Sequence, residues 1–243
     1  MRTVGIDLAA GLATTAASVI EWTEEGALVL APRLRCTDTD LLRLLQKLGE
    51  DDRAGIDCPF GWPTEFVRAM AAHGAHRPWP GRGQGSTEYR ARLRLRHTDL
   101  VVWEALRPGH PPLSVSFDKL GAAASRWAHL ADELAARGQL VDRTGSGNLA
   151  EVYPRAARIR WGLDPQRSMA DLLAAAPWLH CEDAVRDAYD RNEHAFDALI
   201  ASLNARAAYR SLTDLPSPEH ADFAALEGWI HLPEIGSLAK LPQ

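Results

Sequence analysis

Hydrophobic positions along this chain fall into two patterns: short runs rich in β-branched and small residues, and longer stretches with apolar residues three and four apart. Residues 3–9 read as a buried strand and 14–22 as a second. Glu24-Glu25-Gly26 reads as a hairpin turn, and 27–33 as a third strand. Asp38 or Thr39 then caps a helix through Leu48, whose leucines at 41, 42, 44, 45 and 48 form a stripe ended by Gly49. A fourth strand leads to Asp57. This start places a meander before a strand that returns parallel to the first.

Beyond Pro63 the pattern is helical. A short helix ends near Gly74, a Pro-, Gly- and Arg-rich loop spans 76–85, and 86–106 reads as an arginine-rich helix. Prolines at 108, 111 and 112 break the chain before a long helix over 117–137. Gly145-Ser146-Gly147 precedes a strand holding Glu151. Helices follow over 168–176, 182–189 and 192–209, and a last short strand over 228–232. There is no internal repeat and no low-complexity tail. The 243 residues suit one domain, with about 63–147 as an insertion of helices and loops.

Apolar content and charge are those of an ordinary globular protein. No run approaches the ~18 apolar residues of a membrane span, so no membrane partner is expected. The chain opens on a strand rather than a signal-peptide pattern, which gives a cytoplasmic expectation. Cys36, Cys58 and Cys181 are scattered, without the spacing of a zinc cluster or a disulfide framework. A formal net charge of −5 argues against a nucleic-acid coat protein and leaves room for a nuclease whose own carboxylates are negative.

The chemistry concentrates in acids with apolar flanks. Val4-Gly5-Ile6-Asp7-Leu8-Ala9 places an Asp in a buried-strand pattern, and Ala54-Gly55-Ile56-Asp57-Cys58-Pro59 repeats the device, Pro59 ending the run by removing a ladder donor. Leu149-Ala150-Glu151-Val152-Tyr153-Pro154 does it a third time. His194 and Asp197 share one face of an apolar helix, three residues apart. Taken singly, each has an ordinary reading: Asp7 capping the turn at Gly11, Asp57 in an Asx turn, Glu151 on a sheet edge, the helix pair on a solvated face. Taken together, they favour one site. A carboxylate in an apolar strand is costly to desolvate unless paired, metal-bound or at the strand end. Parallel neighbours also present their C-terminal ends at one sheet edge, where ligands bind. A hard cation such as Mg²⁺ or Mn²⁺ is the natural ligand of such oxygens.

Arg90, Arg92, Arg94 and Arg96 alternate with apolar residues in the inserted region. Their spacing fits strand as well as helix. They form either a solvated, salt-bridged face or a clamp making bidentate contacts to phosphate. Arg155, Arg158 and Arg160 form a smaller basic group, and Trp62 and Trp79 fall in loops where they could stack on a base.

The motifs at Gly5–Ala9, Ile56–Pro59, Arg96-His97-Thr98-Asp99, Glu151–Arg155 and His194–Leu199 together resemble the domain-of-unknown-function 429 family, over nearly the whole chain from Gly5 to about His231. That family is regarded as predicted nucleases of the RNase H-like fold. The resemblance implies an α/β fold, with a mixed five-stranded sheet (three antiparallel strands, then parallel ones) flanked by helices and carrying a helical insertion. It places Asp7, Asp57 and Asp197 at metal-ligand positions and His194 at a supporting acid/base or ligand position. Glu151 belongs to the family's own pattern.

Three functions compete on this reading. The first is a Mg²⁺- or Mn²⁺-dependent nuclease, with Asp7, Asp57, Glu151, His194 and Asp197 as catalytic residues and Arg90, Arg92, Arg94 and Arg96 holding nucleic acid. The second is a nucleotide-binding phosphotransferase or ATPase of the related actin-like fold, suggested by Asp7-Leu8-Ala9-Ala10-Gly11. The third is a non-catalytic metal-binding relative.

Overall fold

A computed structural model describes residues 1–109, 111–164 and 166–242. The meander forms as β1 (Arg2–Asp7), β2 (Ala16–Trp22) and β3 (Ala27–Val29), each antiparallel to the one before. The expected third strand stops short at Val29. Pro32 interrupts it, and Arg33–Leu34 pairs separately with β2 as β4. Helix α1 (Asp38–Leu45) is capped by Thr37 rather than by Asp38 or Thr39, because Thr37 Oγ1 accepts from Asp40 N while Thr37 N donates back to the Asp40 carboxylate. The chain then returns as β5 (Arg53–Asp57), parallel to β1.

The inserted region builds α2 (Thr64–Gly74), α3 (Ser86–Arg92), α4 (His97–Ala105) and α5 (Leu120–Ala135). The single helix expected over 86–106 is therefore two. After it come β6 (Leu149–Glu151), α6 (Pro154–Arg160), α7 (Met169–Ala175), β7 (Leu179–His180), α8 (Asp183–Asp190), α9 (Glu193–Tyr209) and α10 (Ala221–Glu227). The strand expected over 228–232 reduces to a bridge between Ile230 and Glu151. Among the described residues the sheet has seven strands, ordered β6-β5-β1-β2-β3-β7 with β4 beside β2, two more than expected. No helix among the described residues is long and apolar enough to cross a membrane.

The sheet buries both faces, and strand alternation assigns residues to each. Val4, Ile6, Ala54 and Ile56 point into a core closed by α1 and α5, through Leu41, Leu45, Trp127, Leu130 and Leu134. Thr3, Gly5 and Asp7 point the other way, toward α9. That helix lies across β1, β2 and β5 and is buried almost continuously from Ala195 to Ala207. Such close approach needs glycine: a Cβ on Gly5 would strike the Ala198 carbonyl and Ser202 N, and one on Gly55 the Ala201 carbonyl. Gly5 and Gly55 are register partners. Each Gly-Ile-Asp motif thus carries three instructions: a gap for the helix, an apolar anchor for the opposite core, and an acid two residues after the gap, on the helix side.

Candidate functional site

Asp7 and Asp57 are paired across the parallel ladder at the C-terminal ends of adjacent strands. Strand spacing alone puts their backbones about 4.8 Å apart. Helix α9 starts over that edge, its N-cap Asn192 accepting from Ala195 N at 3.0 Å. His194 Nδ1 is hydrogen-bonded to Asp7 Oδ2 at 2.8 Å. Asp197, one turn on, faces the same edge, close enough for its charge to raise the pKa of both strand acids. The loop after Asp7 is fixed from the other core, since Arg126 of α5 donates to Ala9 O at 2.8 Å and to Thr15 Oγ1 at 2.7 Å.

The electrostatics are those of crowded carboxylates. Burial pushes Asp7 up to about 6; the charge of Asp197 adds to this, while the bond to His194 and the charge of Arg167 oppose it. Burial also carries Asp57 well above the ordinary carboxylate range, and the charges of Asp7, Asp197 and Glu151 push it further. No hydrogen-bond partner meets the Asp57 carboxylate among the described residues. It lines a small cavity of about 100 Å³ together with Leu8, Leu113, Glu151 and Tyr153.

The remaining predicted residues divide. Glu151 reaches this edge, but it pairs with Ile56, so alternation turns it toward the opposite face from Asp57. There it accepts from Arg96 Nη2 (2.7 Å) and Nη1 (2.9 Å) and from Phe60 N (2.9 Å). Arg96 is 2 % exposed, and its other donors go to both Asp99 oxygens and the Glu227 carbonyl. Burial works to lower the Arg96 pKa; the charges of Asp99 and Glu151 outweigh it and keep the guanidinium charged. Arg96 is therefore a structural tie and not an exposed phosphate contact. The same ties split the expected 86–106 helix, because Arg96 N also donates to Asp99 and starts α4 afresh. Thr98 Oγ1 accepts from Ile230 N at 2.8 Å, so the Arg96–Asp99 motif locks α4 to the segment after α10.

Arg90, Arg92 and Arg94 are exposed, on α3 and just after it, above a small cluster of Ala69, Tyr89 and Leu93. Arg90 Nε donates to Ser86 O, and Arg92 hydrogen-bonds Gln84 and lies over the Tyr89 ring. Trp79 packs edge-on against Tyr89 and His73, and Trp62 against the α1–α5 core.

The cations that do reach the acids come from elsewhere. Arg167, in the loop before α7, grips Asp197 through Nη2 at 2.6 Å and through Nε at 3.1 and 3.2 Å to its two oxygens. Its Nη1 also pairs with Glu193 at 3.2 Å. Arg158 of α6 has Nη2 3.9 Å from Asp197, and the charge of Arg155 is felt at Tyr153, which lines the small cavity. The Arg155–Arg160 group is visible as a basic cluster in the sequence; Arg167 has no periodicity or motif around it to mark it. A larger cavity of about 530 Å³ lies at the other end of β5 and β6, lined by Arg53, Asn148, Tyr209 and His231, and none of the acids reaches it.

A profile of the family described as "Protein of unknown function (DUF429)" matches residues 5–221. The chain belongs to this family. Comparisons with curated proteins and with solved structures each find no match. The family's span runs from the Gly5 contact with α9 to the first residue of α10, and so contains every acid of the site.

Among the described residues no group of three or more His, Cys, Asp or Glu side chains is arranged to hold a metal ion. Arg167 takes both oxygens of Asp197, and His194 is hydrogen-bonded to one of Asp7. The donor chemistry nonetheless fits Mg²⁺, which is commonly held by one or two carboxylates and otherwise by water and substrate phosphate. Asp7 and Asp57 are two carboxylates at one sheet edge.

Proposed function

We propose that this protein is a Mg²⁺- or Mn²⁺-dependent nuclease of the RNase H-like fold. The observation that carries the reading is the in-register pair Asp7 and Asp57, at the C-terminal ends of adjacent parallel strands, with Asp57 lacking any partner among the described residues. Support for the fold comes from the sheet order, in which β1 has the antiparallel meander on one side and parallel β5 and β6 on the other.

Asp7 and Asp57 would hold the cation, with Asp197 completing the shell once released from Arg167. A bound divalent ion would supply a water of lowered pKa and neutralise charge on the phosphate. His194, anchored on Asp7 through Nδ1, would have Nε2 left to hold or move a proton. Glu151 acts from behind, fixing Phe60 N and thereby the chain that follows Asp57. Arg90, Arg92 and Arg94 remain the candidates for nucleic-acid backbone contact.

The test is cleavage of single- and double-stranded DNA and RNA oligonucleotides with Mg²⁺ or Mn²⁺, by wild type and by Asp57→Asn. Cation-dependent cleavage by wild type and its loss in the variant are expected. A wild-type protein inert on all four substrates, or a variant as active as wild type, rejects the proposal.

A further inference from the structure

The cavity of about 530 Å³ sits at the N-terminal ends of β5 and β6, away from Asp57 and Glu151, and has the size of a small-molecule site. No Asp or Glu lines it among the described residues, and its charged wall is Arg53. That arginine is held in place. Its Nη1 donates to Glu50 O at 2.7 Å and to Asp52 O at 2.9 Å, and its guanidinium lies over the Tyr209 ring at 4.7 Å. These partners are carbonyls and a ring; no carboxylate pairs with Arg53 among the described residues, and its Nε and Nη2 donate to no protein group there. The polar wall is the turn Thr144-Gly145-Ser146-Gly147-Asn148, and a buried chain fixes it. His231, 3 % exposed, donates from Nε2 to Thr144 O at 2.9 Å. Burial lowers the pKa of His231 and keeps the ring neutral, so Nδ1 accepts from the Thr213 hydroxyl at 2.9 Å. Gly145, at φ +81°, lets the turn come this close, since a Cβ there would strike His231 Nε2. At the far end of the turn Asn148 Nδ2 donates to Gly49 O at 3.0 Å, and Asn148 O accepts from Ala54 N at 2.7 Å. Between these anchors Ser146 N and Gly147 N have no protein acceptor among the described residues.

We propose that this cavity binds a small organic phosphate carrying a flat ring, the combination found in a ribonucleoside monophosphate. The inference stands apart from the nuclease reading, because no acid of that site takes part. An immobilised arginine without a carboxylate partner, in a chain of net charge −5, leaves its charge open to an anion from solution, and a guanidinium matches phosphate with paired hydrogen bonds. Free backbone N–H groups in a glycine-containing turn are a second kind of phosphate donor. Both are fixed by bonds made without ligand, so little ordering is lost on binding. A bare phosphate would leave most of the volume unfilled. The ring follows from the other walls: a guanidinium seated on Tyr209 is a cationic surface on which a ring can stack, and Ala150, Ala208, Leu215 and Pro216 supply apolar surface. Leu215 is 64 % exposed, an apolar side chain that a bound ring would cover.

The test is calorimetric titration of the full chain with the four ribonucleoside monophosphates, in metal-free buffer so that no cation recruits phosphate to the carboxylates. The matching nucleosides, ribose 5-phosphate and inorganic phosphate serve as partial probes. At least one monophosphate is expected to bind, with each partial probe about tenfold weaker or worse. Arg53→Gln should weaken the monophosphate about tenfold, and Arg53→Lys, which keeps the charge but loses the fork, by less. Ala208→Leu, which narrows the cavity from the α9 side, should weaken it without altering the arginine. Asp57→Asn should bind as wild type does. Thermal melting checks that each variant is folded, and the wild-type titrations decide the matter even if a variant is not. Failure of wild type to bind any monophosphate overturns the proposal and leaves the nuclease reading untouched. A nucleoside that binds as tightly as its monophosphate removes the phosphate contact, ribose 5-phosphate that does so removes the ring, and either result overturns the proposal. Unchanged affinity in both Arg53→Gln and Ala208→Leu, or loss of binding in Asp57→Asn, places the nucleotide elsewhere and overturns it too.

Discussion

At the scale of single residues, the site is held together against its own charge, and Asp7 makes this measurable. Its pKa rises from 3.8 to about 6 in the folded protein. The folded state therefore holds the proton more tightly in that interval. The contribution to stability is full below about pH 4 and is lost as pH rises toward about 6, a loss of up to about 3 kcal/mol for a shift of this size. Asp57, raised for the same reasons, acts in the same direction. Asp7→Asn keeps an oxygen for His194 and removes the titration. It should be more stable than wild type at pH 7 in metal-free buffer, by about 1–3 kcal/mol, and the difference should vanish near pH 4. Urea unfolding at a series of pH values reads this directly. A variant and wild type separated by a constant amount from pH 4 to 7 would show that burial does not raise the Asp7 carboxyl.

Glycine and arginine decide matters at the scale of elements. Gly55→Ala would drive a methyl group into the Ala201 carbonyl of α9, and a helix backbone cannot rotate aside as a side chain can. Overpacking of this kind costs about 1–3 kcal/mol where side chains yield, and here the upper end or beyond is expected in chemical denaturation. Arg96→Ala leaves Glu151 and Asp99 buried without their cation and should cost about 3–5 kcal/mol. Loss of less than about 1 kcal/mol, typical of exposed pairs, would contradict the description of Arg96 as a sealed tie.

These same elements show what the sequence makes legible. The two Gly-Ile-Asp strands, the parallel return of β5 and the long α9 are readable, because burial on both faces leaves a plain apolar signature. Helix α6 carried a start signal, Pro154 at its first position, but its seven residues are too few to show a period. Strand β7 is two residues long and exists only because β3 offers it a partner, so nothing local announces it. Arg96 read as one of four similar arginines. Its burial is set by Glu151, fifty-five residues away, and Asp99, and spacing along the chain does not encode that. Arg167 was invisible for the same reason, as a loop residue whose meaning comes wholly from the helix it touches.

For the molecule as a whole, the question is where a polyanion would lie. Arg90, Arg92 and Arg94 stand exposed on α3 and its end, while Arg155, Arg158 and Arg167 surround the acids. If the first group holds a nucleic-acid backbone, Arg90→Ala and Arg94→Ala should each lower the salt dependence of oligonucleotide binding, by a slope of roughly 0.7–0.9 per lost contact. Turnover at saturating substrate should hardly change, since such contacts serve ground and transition states alike. Binding isotherms from low to moderate salt give the slope. An unchanged slope in both folded variants would assign α3 to solvent and leave the arginines around Asp197 to meet the substrate.

The close seat of α9 on β1 has a consequence in time. Strand β1 is synthesised long before α9, which fills the space kept by Gly5 and Gly55. Until residues 193–209 arrive, the central strands have one face open to water, and Asp7 has neither His194 nor the charge of Arg167 near it. A growing chain therefore carries two of its acids from the start but cannot assemble the site. Whatever chemistry these acids support is thereby absent until α9 has docked.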